Sequence, residues 1–289
     1  MALYPTEWQD YALLDCGDGQ KLERFGAYTL IRPEPNATWP PSLPRRAWEA
    51  ADARFQLSAP NRGMWYFRHP LPERWSMCYK ALRFWVAPTP FRHVGVFPEQ
   101  AVHWDWLVRR LANTASPPRL LNLFGYTGLA TLSAAAGGAA VTHVDASKKA
   151  VLWARQNAEL SGLANRPIRW IVDDALKFAA REVRRGSRYD GFILDPPPFG
   201  RGAKGELWTF DKAMPQLMGL LRQLLSATPC CVIITAYTAK MSMLRLKRLL
   251  ADMMAGYAGA IEAGELGLRQ ISAARTLTTA FYVRWRTTS

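Results

Sequence analysis

Several short apolar runs in this chain stop at an acid. Phe192-Ile193-Leu194 ends at Asp195 and passes straight into Pro196-Pro197-Pro198-Phe199-Gly200. "AAVTHVD" ends at Asp145, and "IRWIVDD" at Asp173-Asp174. A carboxylate accepts two hydrogen bonds at once, so each acid is suited to hold a pair of hydroxyls or an amino group. Another run, residues 119 to 124, leads into "FGYTG", Phe124 to Gly128. Gly125 and Gly128 there permit a sharp turn and a close approach of backbone to a ligand. Asp145 follows this loop by about 20 residues, the interval expected of an acid that grips ribose hydroxyls. A diphosphate cofactor calls for G-x-G-x-x-G at a helix N-terminus. In this chain Thr127 replaces the second glycine, so a cofactor with a ribose and no phosphates fits better. The prolines after Asp195 make a stiff turn whose carbonyls are held at little cost in ordering entropy. With Asp195, the carbonyls of Pro196 and Pro197 are suited to an amino group or base edge, and Phe199 offers a ring face for stacking a base.

These groups need a frame, and the sequence from about residue 101 supplies one. "AVHWDWLVRRLANT" has helical spacing, "RLLNLF" reads as a strand, and "GLATLSAAAGG" as a small-residue helix. "AAVTHVD" is a second strand, followed by the amphipathic helix "SKKAVLWARQNAELSGL", with Ser147 as its cap and Gly162 as its stop. Strands "IRWIVDD", "DGFILD" and "CCVIITAY" alternate with helices "ALKFAAREVRRG", "FDKAMPQLMGLLRQLLS" and "MLRLKRLLADMMAGY". The helix around Pro215 is expected to be interrupted or to begin there. Such alternation predicts an α/β fold with a Rossmann-like parallel sheet covered on both faces. The last two β-like segments, "GAIEAGELGLRQ" and "LTTAFYVRWR", have no helix between them and predict an antiparallel C-terminal hairpin. Ligands of open parallel sheets bind at the carboxyl ends of the strands, which is where the acids fall. The first part reads differently. Its apolar runs are short, Trp-rich and broken by Gly, Pro and Asp. We expect a small β-rich N-terminal domain over 1–90, with "WPPSLPRR" as a loop or extended crossover, and a second domain over 91–289.

The 289 residues are 49% hydrophobic, which excludes a disordered chain and allows a sizeable core. No apolar run approaches the ~20 residues of a membrane span. The start of the chain lacks a basic-then-apolar leader, so a cytoplasmic protein without a membrane is expected. The cysteines, Cys16, Cys78, Cys230 and Cys231, form no C-x-x-C pair and read as reduced thiols. The four histidines show no ligand spacing, so no metal is expected. A net charge of +14 favours a polyanionic partner, nucleic acid first. The C-terminal hairpin and the N-terminal β region both offer surfaces for a homo-oligomer, but neither demands one.

S-adenosylmethionine is a cofactor with a ribose and no phosphates. The order "NLFGYTG", "VDASKKAVLWARQN", "VDDALKF", "LDPPPF" resembles class I S-adenosylmethionine-dependent methyltransferases, which have a seven-stranded sheet. Among these it resembles the bacterial branch of large-subunit rRNA cytosine-5 methyltransferases. "FRHVGVFPEQ" resembles that branch's G-x-F-x-[DE]-Q segment just before the core. The resemblance implies that Asn122 and Phe124, Gly125, Tyr126, Thr127 and Gly128 hold the methionine end of the cofactor. It gives Asp145 both ribose hydroxyls, places Ala146 and Ser147 along the adenine, and gives Asp174 with Ala175 the adenine amino group. Phe97 and Gln100 would close the pocket from the N-terminal side, and Asp195 would touch cofactor and acceptor. By residue type alone, Gln100 also suits a helix cap and Phe97 the core. The product would be S-adenosylhomocysteine, and the partner RNA.

Cytosine-5 transfer needs a thiolate, because carbon-5 attacks only after a nucleophile adds at carbon-6. Where the resembled family places its cysteine, "ITAYTAKMS" has Thr238. Cys230 and Cys231 begin the preceding strand, at the end away from the acids. The expected reaction is therefore methyl transfer to a base in RNA, catalysed by Asp195, Pro196, Pro197 and Phe199, without a covalent cysteine intermediate. The alternatives are a methyltransferase of a protein or small molecule, and a cofactor-binding RNA-interaction protein without turnover. Basic segments "REVRRG" and "RLKRLL" are either phosphate contacts or solvated helix faces. Arg201 and Lys204 lie in a glycine-rich loop that could close over substrate.

Overall fold

The structure, a computed structural model, describes residues 2–288 apart from 60, 61, 113, 115, 202–204 and 238–241. The chain divides into two compact units. One comprises residues 2–102 with 266–279, the other 103–265 with 280–289.

The first unit is β-rich. Strands β1 (Tyr11–Gly17), β2 (Gln20–Phe25), β3 (Tyr28–Pro33), β4 (Ala53–Ala59) and β5 (Arg62–Phe67) form one sheet in that order, and β6 (Trp75–Tyr79) pairs with β7 (Leu82–Val86). The β1–β2 turn is Asp18-Gly19, both at positive φ (49° and 73°), the left-handed pair that suits the twist of a two-residue hairpin. β3 and β4 run parallel, so "WPPSLPRR" and the short helix α1 (Arg45–Glu49) between them form a crossover, as its extended composition suggested. Asp15 holds that crossover. Its fully buried carboxylate accepts from the N–H groups of Leu43 (2.8 Å) and Ser42 (3.0 Å), and from the Trp48 indole (3.0 Å). It also accepts from the Gln270 amide (2.6 Å) and the Ser272 hydroxyl (2.7 Å). Burial pushes this carboxyl up, but the donors, led by the Leu43 N–H, outweigh it and hold Asp15 below the usual carboxylate value. Beside it Glu23, also buried, takes a two-pronged ion pair from Arg32 (2.7 and 2.8 Å) and a hydrogen bond from the Tyr11 hydroxyl (2.9 Å).

After the single 3₁₀ turn Pro98–Gln100, α2 (Ala101–Leu111) leads into the alternating part. There follow β8 (Arg119–Leu123), α3 (Leu129–Ala136), β9 (Ala140–Asp145), α4 (Lys148–Leu160), β10 (Ile168–Val172), α5 (Ala175–Arg184) and β11 (Gly191–Leu194). A small hairpin, β12 (Phe199–Arg201) with β13 (Leu207–Thr209), interrupts the alternation before α6 (Phe210–Leu224), β14 (Cys231–Ala236) and α7 (Met243–Met254). The long strands β15 (Gly259–Arg269) and β16 (Thr276–Thr287) close the chain.

The main sheet has seven strands in the order β10-β9-β8-β11-β14-β16-β15. The first five are parallel and β16 is antiparallel to β14, the arrangement the alternation predicted. Leu121, Leu123, Phe192 and Leu194 face a core built with α5, α6 and α7. Leu120, Ile193, Cys231 and Ile233 face a second core with α2 and α3. Strands buried on both faces read as unbroken apolar runs, which is why β8, β11 and β14 stood out in the sequence. The Ser147 hydroxyl caps α4 by accepting from the Ala150 N–H (3.2 Å), and Gly162 follows the helix end at φ 69°, both as expected. Helix α6 differs from expectation. It begins at Phe210 and runs through Pro215, whose absent N–H falls less than two turns from the start.

Candidate active site

The strand order reverses between β8 and β11. From β8 the chain builds outward to β9 and β10, then returns to lay β11 and β14 on the other side. The two strands pair directly, with Leu123 opposite Leu194, so the loops 124–128 and 195–198 leave adjacent strand ends. Leu123 also lies opposite Val144, and Val172 opposite Asp145. Thus Asp195, Phe124 and Asp145 stand along one rim at successive spacings of about 4.8 Å, with Asp173 one residue beyond the position opposite Asp145. A crevice at such a reversal is where open α/β sheets take their ligands.

The loop after β8 is bent into unusual backbone geometry. Phe124, Tyr126 and Gly128 all have positive φ (60°, 47° and 87°). For the two aromatic residues this conformation costs about 1–3 kcal/mol each, strain that tends to collect where a backbone is shaped for a ligand. The loop is held on three sides. The Gly125 N–H bonds the Val144 carbonyl (3.0 Å), the Asn157 amide bonds the Thr127 carbonyl (2.9 Å), and the Tyr126 N–H bonds Asp145 (2.9 Å). Both glycines are also required by protein neighbours. A Cβ on Gly125 would lie 2.4 Å from the His143 ring, and one on Gly128 2.7 Å from the Ala154 methyl. His143 is fully buried, stacks on Trp170 and shares a hydrogen bond with Thr131 (2.9 Å).

Asn122 belongs to the same packing. Its amide donates to Thr131 (2.8 Å) beneath α3, so it is engaged in seating that helix on the sheet and not at the rim expected for a cofactor contact. Asp145 is at the rim. One of its oxygens accepts from the Tyr126 N–H and the other from the Ser147 N–H (2.8 Å). Each carboxylate oxygen keeps a further lone pair, enough for two vicinal hydroxyls. Burial raises the Asp145 pKa, and the two N–H bonds only partly offset it. A buried carboxylate with spare acceptor capacity is the donor-hungry group that a ribose satisfies, so these residues fit S-adenosylmethionine. Ala146 lies between Asp145 and the cap Ser147. Asp174 turns out to be the N-cap of α5, accepting from the Lys177 N–H (3.0 Å), and Ala175 is the first residue of that helix. An acid directly before an amphipathic helix was the sequence signal for this cap.

Beyond β11, Asp195 is half-buried, Pro196 is buried and the Phe199 ring is 58% exposed. The proline carbonyls are not all aimed at an acceptor, as had been expected. That of Pro197 accepts from the Trp208 indole (2.8 Å), and that of Pro198 from the Phe210 N–H (3.2 Å). Trp208 is buried with its ring 4.7 Å from that of Phe124, so one side chain braces both loops of the crevice. Sequence reasoning missed Trp208. The stretch read as a flexible basic loop begins in β12, with Phe199 paired to Thr209 and Gly200 to Trp208, and residues 202–204 lie outside the described residues. Arg201 ends β12, while Lys204 and Thr238 lie outside the described residues. Phe97 and Gln100 belong to the first unit, Phe97 just before the 3₁₀ turn and Gln100 its last residue; the Phe97 ring sits 5.1 Å from that of His93. Cys230 and Cys231 are buried at the start of β14, about 17 Å along the strand from its rim end. The arginines of α5 are largely engaged: Arg181 pairs with Asp173 (2.5 Å) and Arg185 with Glu182 (2.8 Å). Arg245 of α7 pairs with Asp211 (3.2 Å). Among the described residues no cluster of ligating side chains could hold a metal ion.

A doubly wound sheet of this order, with an acid at the second strand end and Asp-Pro-Pro at the fourth, defines an α/β protein built around a nucleoside cofactor. The sequence pattern of the family described as S-adenosylmethionine-dependent methyltransferase matches residues 44–234, well over half of the chain. The chain belongs to that family, and S-adenosylmethionine is its cofactor. A solved S-adenosylmethionine-dependent methyltransferase from Agrobacterium tumefaciens is 43% identical, with a TM-score of 0.94 over 99% of this chain and 93% of that one. A methyltransferase of Streptococcus mutans shares the fold at 18% identity, with a TM-score of 0.74 over 96% of this chain and 76% of the other. "Ribosomal RNA large subunit methyltransferase K/L" of Vibrio cholerae is 41% identical over 36% of this chain. "Ribosomal RNA large subunit methyltransferase K" of Neisseria meningitidis is 33% identical over 42%. The chain spans only 14% and 34% of the lengths of these two relatives.

Proposed function

We propose that this methyltransferase acts on a base in RNA of the ribosomal type, at a nitrogen or oxygen that attacks without a covalent cysteine intermediate. The observation that carries the reading is the exposed Phe199, four residues after Asp195, at the start of β12 just beyond the loop that leaves β11. An exposed aromatic beside a methyl-transfer site is suited to stack a flipped or single-stranded base. The names of the Vibrio and Neisseria relatives point the same way.

S-adenosylmethionine supplies an electrophilic methyl on a sulfonium. Asp145 holds the ribose through its two oxygens, with Ala146 and Ser147 along the adenine, and Asp174 and Ala175 at its amino group. The strained Phe124–Gly128 loop shapes the methionine end. Asp195 accepts a hydrogen bond from the attacking group, raising the electron density on the acceptor atom, and the Pro196 carbonyl fixes its orientation. Phe199 stacks on the base, and Pro197, tied to Trp208, keeps the turn rigid. Holding acceptor and methyl in line is the larger part of such catalysis. In this reading residues 1–90 are an accessory β-rich domain, residues 91–289 carry the methyl transfer, and the protein works in the cytoplasm.

The test compares methylated nucleosides in total RNA from a deletion strain and its parent by mass spectrometry. Loss of one methylated nucleoside, restored by the wild-type gene but not by Asp145→Ala, is the expected result. Identical nucleoside profiles would sink the RNA assignment, and loss of 5-methylcytidine would sink the cysteine-free chemistry.

A further inference from the structure

The sheet of the first unit ends in an exposed strand whose chemistry the methyl-transfer site does not use. β5 is the edge of that sheet, paired with β4 only. Arg54 lies opposite Tyr66 and Gln56 opposite Met64, and residues directly opposite share a face. All four are exposed, Tyr66 by 52% and Met64 by 57%. Arg62 and Arg68, also exposed, flank the strand at its two ends. On the other face the middle of the hairpin is packed, while Leu57 and Phe67 are exposed. Phe55 and Trp65 pack edge-on at 5.4 Å, and the Trp65 indole bonds the Thr89 carbonyl (2.8 Å).

Beside this strip lies an open cavity of about 330 Å³, floored by Ile31 and Trp48 and walled by Arg54, Tyr66 and Arg68. Glu49 also lines the cavity, facing the charges of Arg54 and Arg68, so cations outnumber the acid there. No acid occurs between Ala53 and Pro72. The two acids nearest in sequence before them, Glu49 and Asp52, are engaged with Arg45 (2.6 Å) and His69 (3.1 Å). Arg181 of α5, Arg185 just after that helix and Arg245 of α7 are by contrast tied to neighbouring carboxylates.

We propose that the β4–β5 face binds a single-stranded stretch of RNA. A base stacks on Tyr66 over the cavity, Arg54 and Arg68 hold the flanking phosphates, and Gln56 meets a base edge. An aromatic on an exposed sheet face between cations is the arrangement that takes unpaired nucleotides with little regard to sequence. An apolar edge strand is otherwise a liability, and here arginines at both ends keep it from pairing with another strand. The proposal rests on the RNA reading above but concerns a surface apart from the methyl-transfer crevice.

The test uses the full chain and a labelled oligouridine of about a dozen nucleotides, followed by fluorescence anisotropy across a salt series. Tyr66→Ala is expected to weaken binding roughly ten-fold or more. Arg54→Ala with Arg68→Ala is expected to lower the slope of log affinity against log salt by about 1.4. S-adenosylhomocysteine affinity should stay at the wild-type value in both variants, which confirms that they fold. If the wild type methylates RNA while the variants bind oligouridine normally, this surface is overturned and the RNA reading stands. If the wild type neither binds nor methylates RNA, the RNA reading falls and takes the surface with it. A concentration-dependent dimer abolished by Tyr66→Ala would assign the face to a second copy of the chain and also overturn the proposal.

Discussion

Gly125 and His143 form a matched pair. The loop can sit on β9 only because residue 125 has no side chain, and the imidazole fills the space a Cβ would occupy. Gly125→Ala should therefore destabilise the protein by about 1–3 kcal/mol, an overpacking penalty, measured as a lower urea midpoint at unchanged slope. His143→Ala removes the clashing ring, so the double variant should lose less than the two single losses added together. Strict additivity would mean that the ring is not what excludes a side chain at 125. The acids at this scale were legible in the sequence because each ends an apolar run. The direction of their hydrogen bonds was not. Asn122 donates to a residue nine positions away and Asp174 caps the helix that it begins. Residue type alone cannot say whether an amide or carboxylate points to a ligand or into its own fold.

At the scale of elements, the crevice is two loops held at a fixed separation, and Trp208 is the brace between them. Its indole donates to the Pro197 carbonyl and its ring meets Phe124. Trp208→Phe keeps an aromatic ring and removes the donor, a loss of about 0.5–1.5 kcal/mol. We expect kcat for methyl transfer to fall several-fold, with the S-adenosylhomocysteine dissociation constant changed less than two-fold, since Asp145, the residue proposed to hold the ribose, ends β9 and not the acceptor turn. An equal loss in both would show that Trp208 shapes the cofactor loop and not the acceptor turn. Periodicity and caps predicted nearly every strand and helix of the second unit, because buried parallel strands and amphipathic helices write distinct patterns. The β12–β13 hairpin escaped. Its strands have three residues each, too short for an alternation to register, and the glycines between them read as a loop.

The molecule buries two imidazoles, His103 and His143, and half-buries a third, His93. Burial lowers the pKa of His143 and His93 to about 3, with the Arg32 charge adding to it for His93. His103 is lowered well below 6.5 by burial and the nearby Arg284. In the unfolded chain all three take up protons near the ordinary value of 6.5. The folded state thus binds fewer protons than the unfolded one between about 3 and 6.5, and stability falls as pH drops through that window. Well inside it, each fully buried histidine contributes a slope of about 1.4 kcal/mol per pH unit. Asp145 acts in the opposite sense, because its raised pKa makes ionisation unfavourable to folding as pH rises past 3.8. The histidines outnumber it, so the urea midpoint should be clearly lower at pH 5 than at pH 7.5. A flat profile between those values would contradict the burial of these rings as neutral groups.

The Asp15 carboxylate has a consequence for the order in which the protein can be made. A ribosome delivers residue 15 long before its partners Gln270 and Ser272, which follow it by 255 and 257 residues. Until those two emerge, the crossover around Asp15 holds a buried charge with only part of its donors, a poor bargain in a low-dielectric interior. The amino-terminal sheet is therefore a scaffold that waits. It can form strands early, but the crossover locks only when the turn between β15 and β16 reaches it, so its completion is tied to chain made 255 residues later.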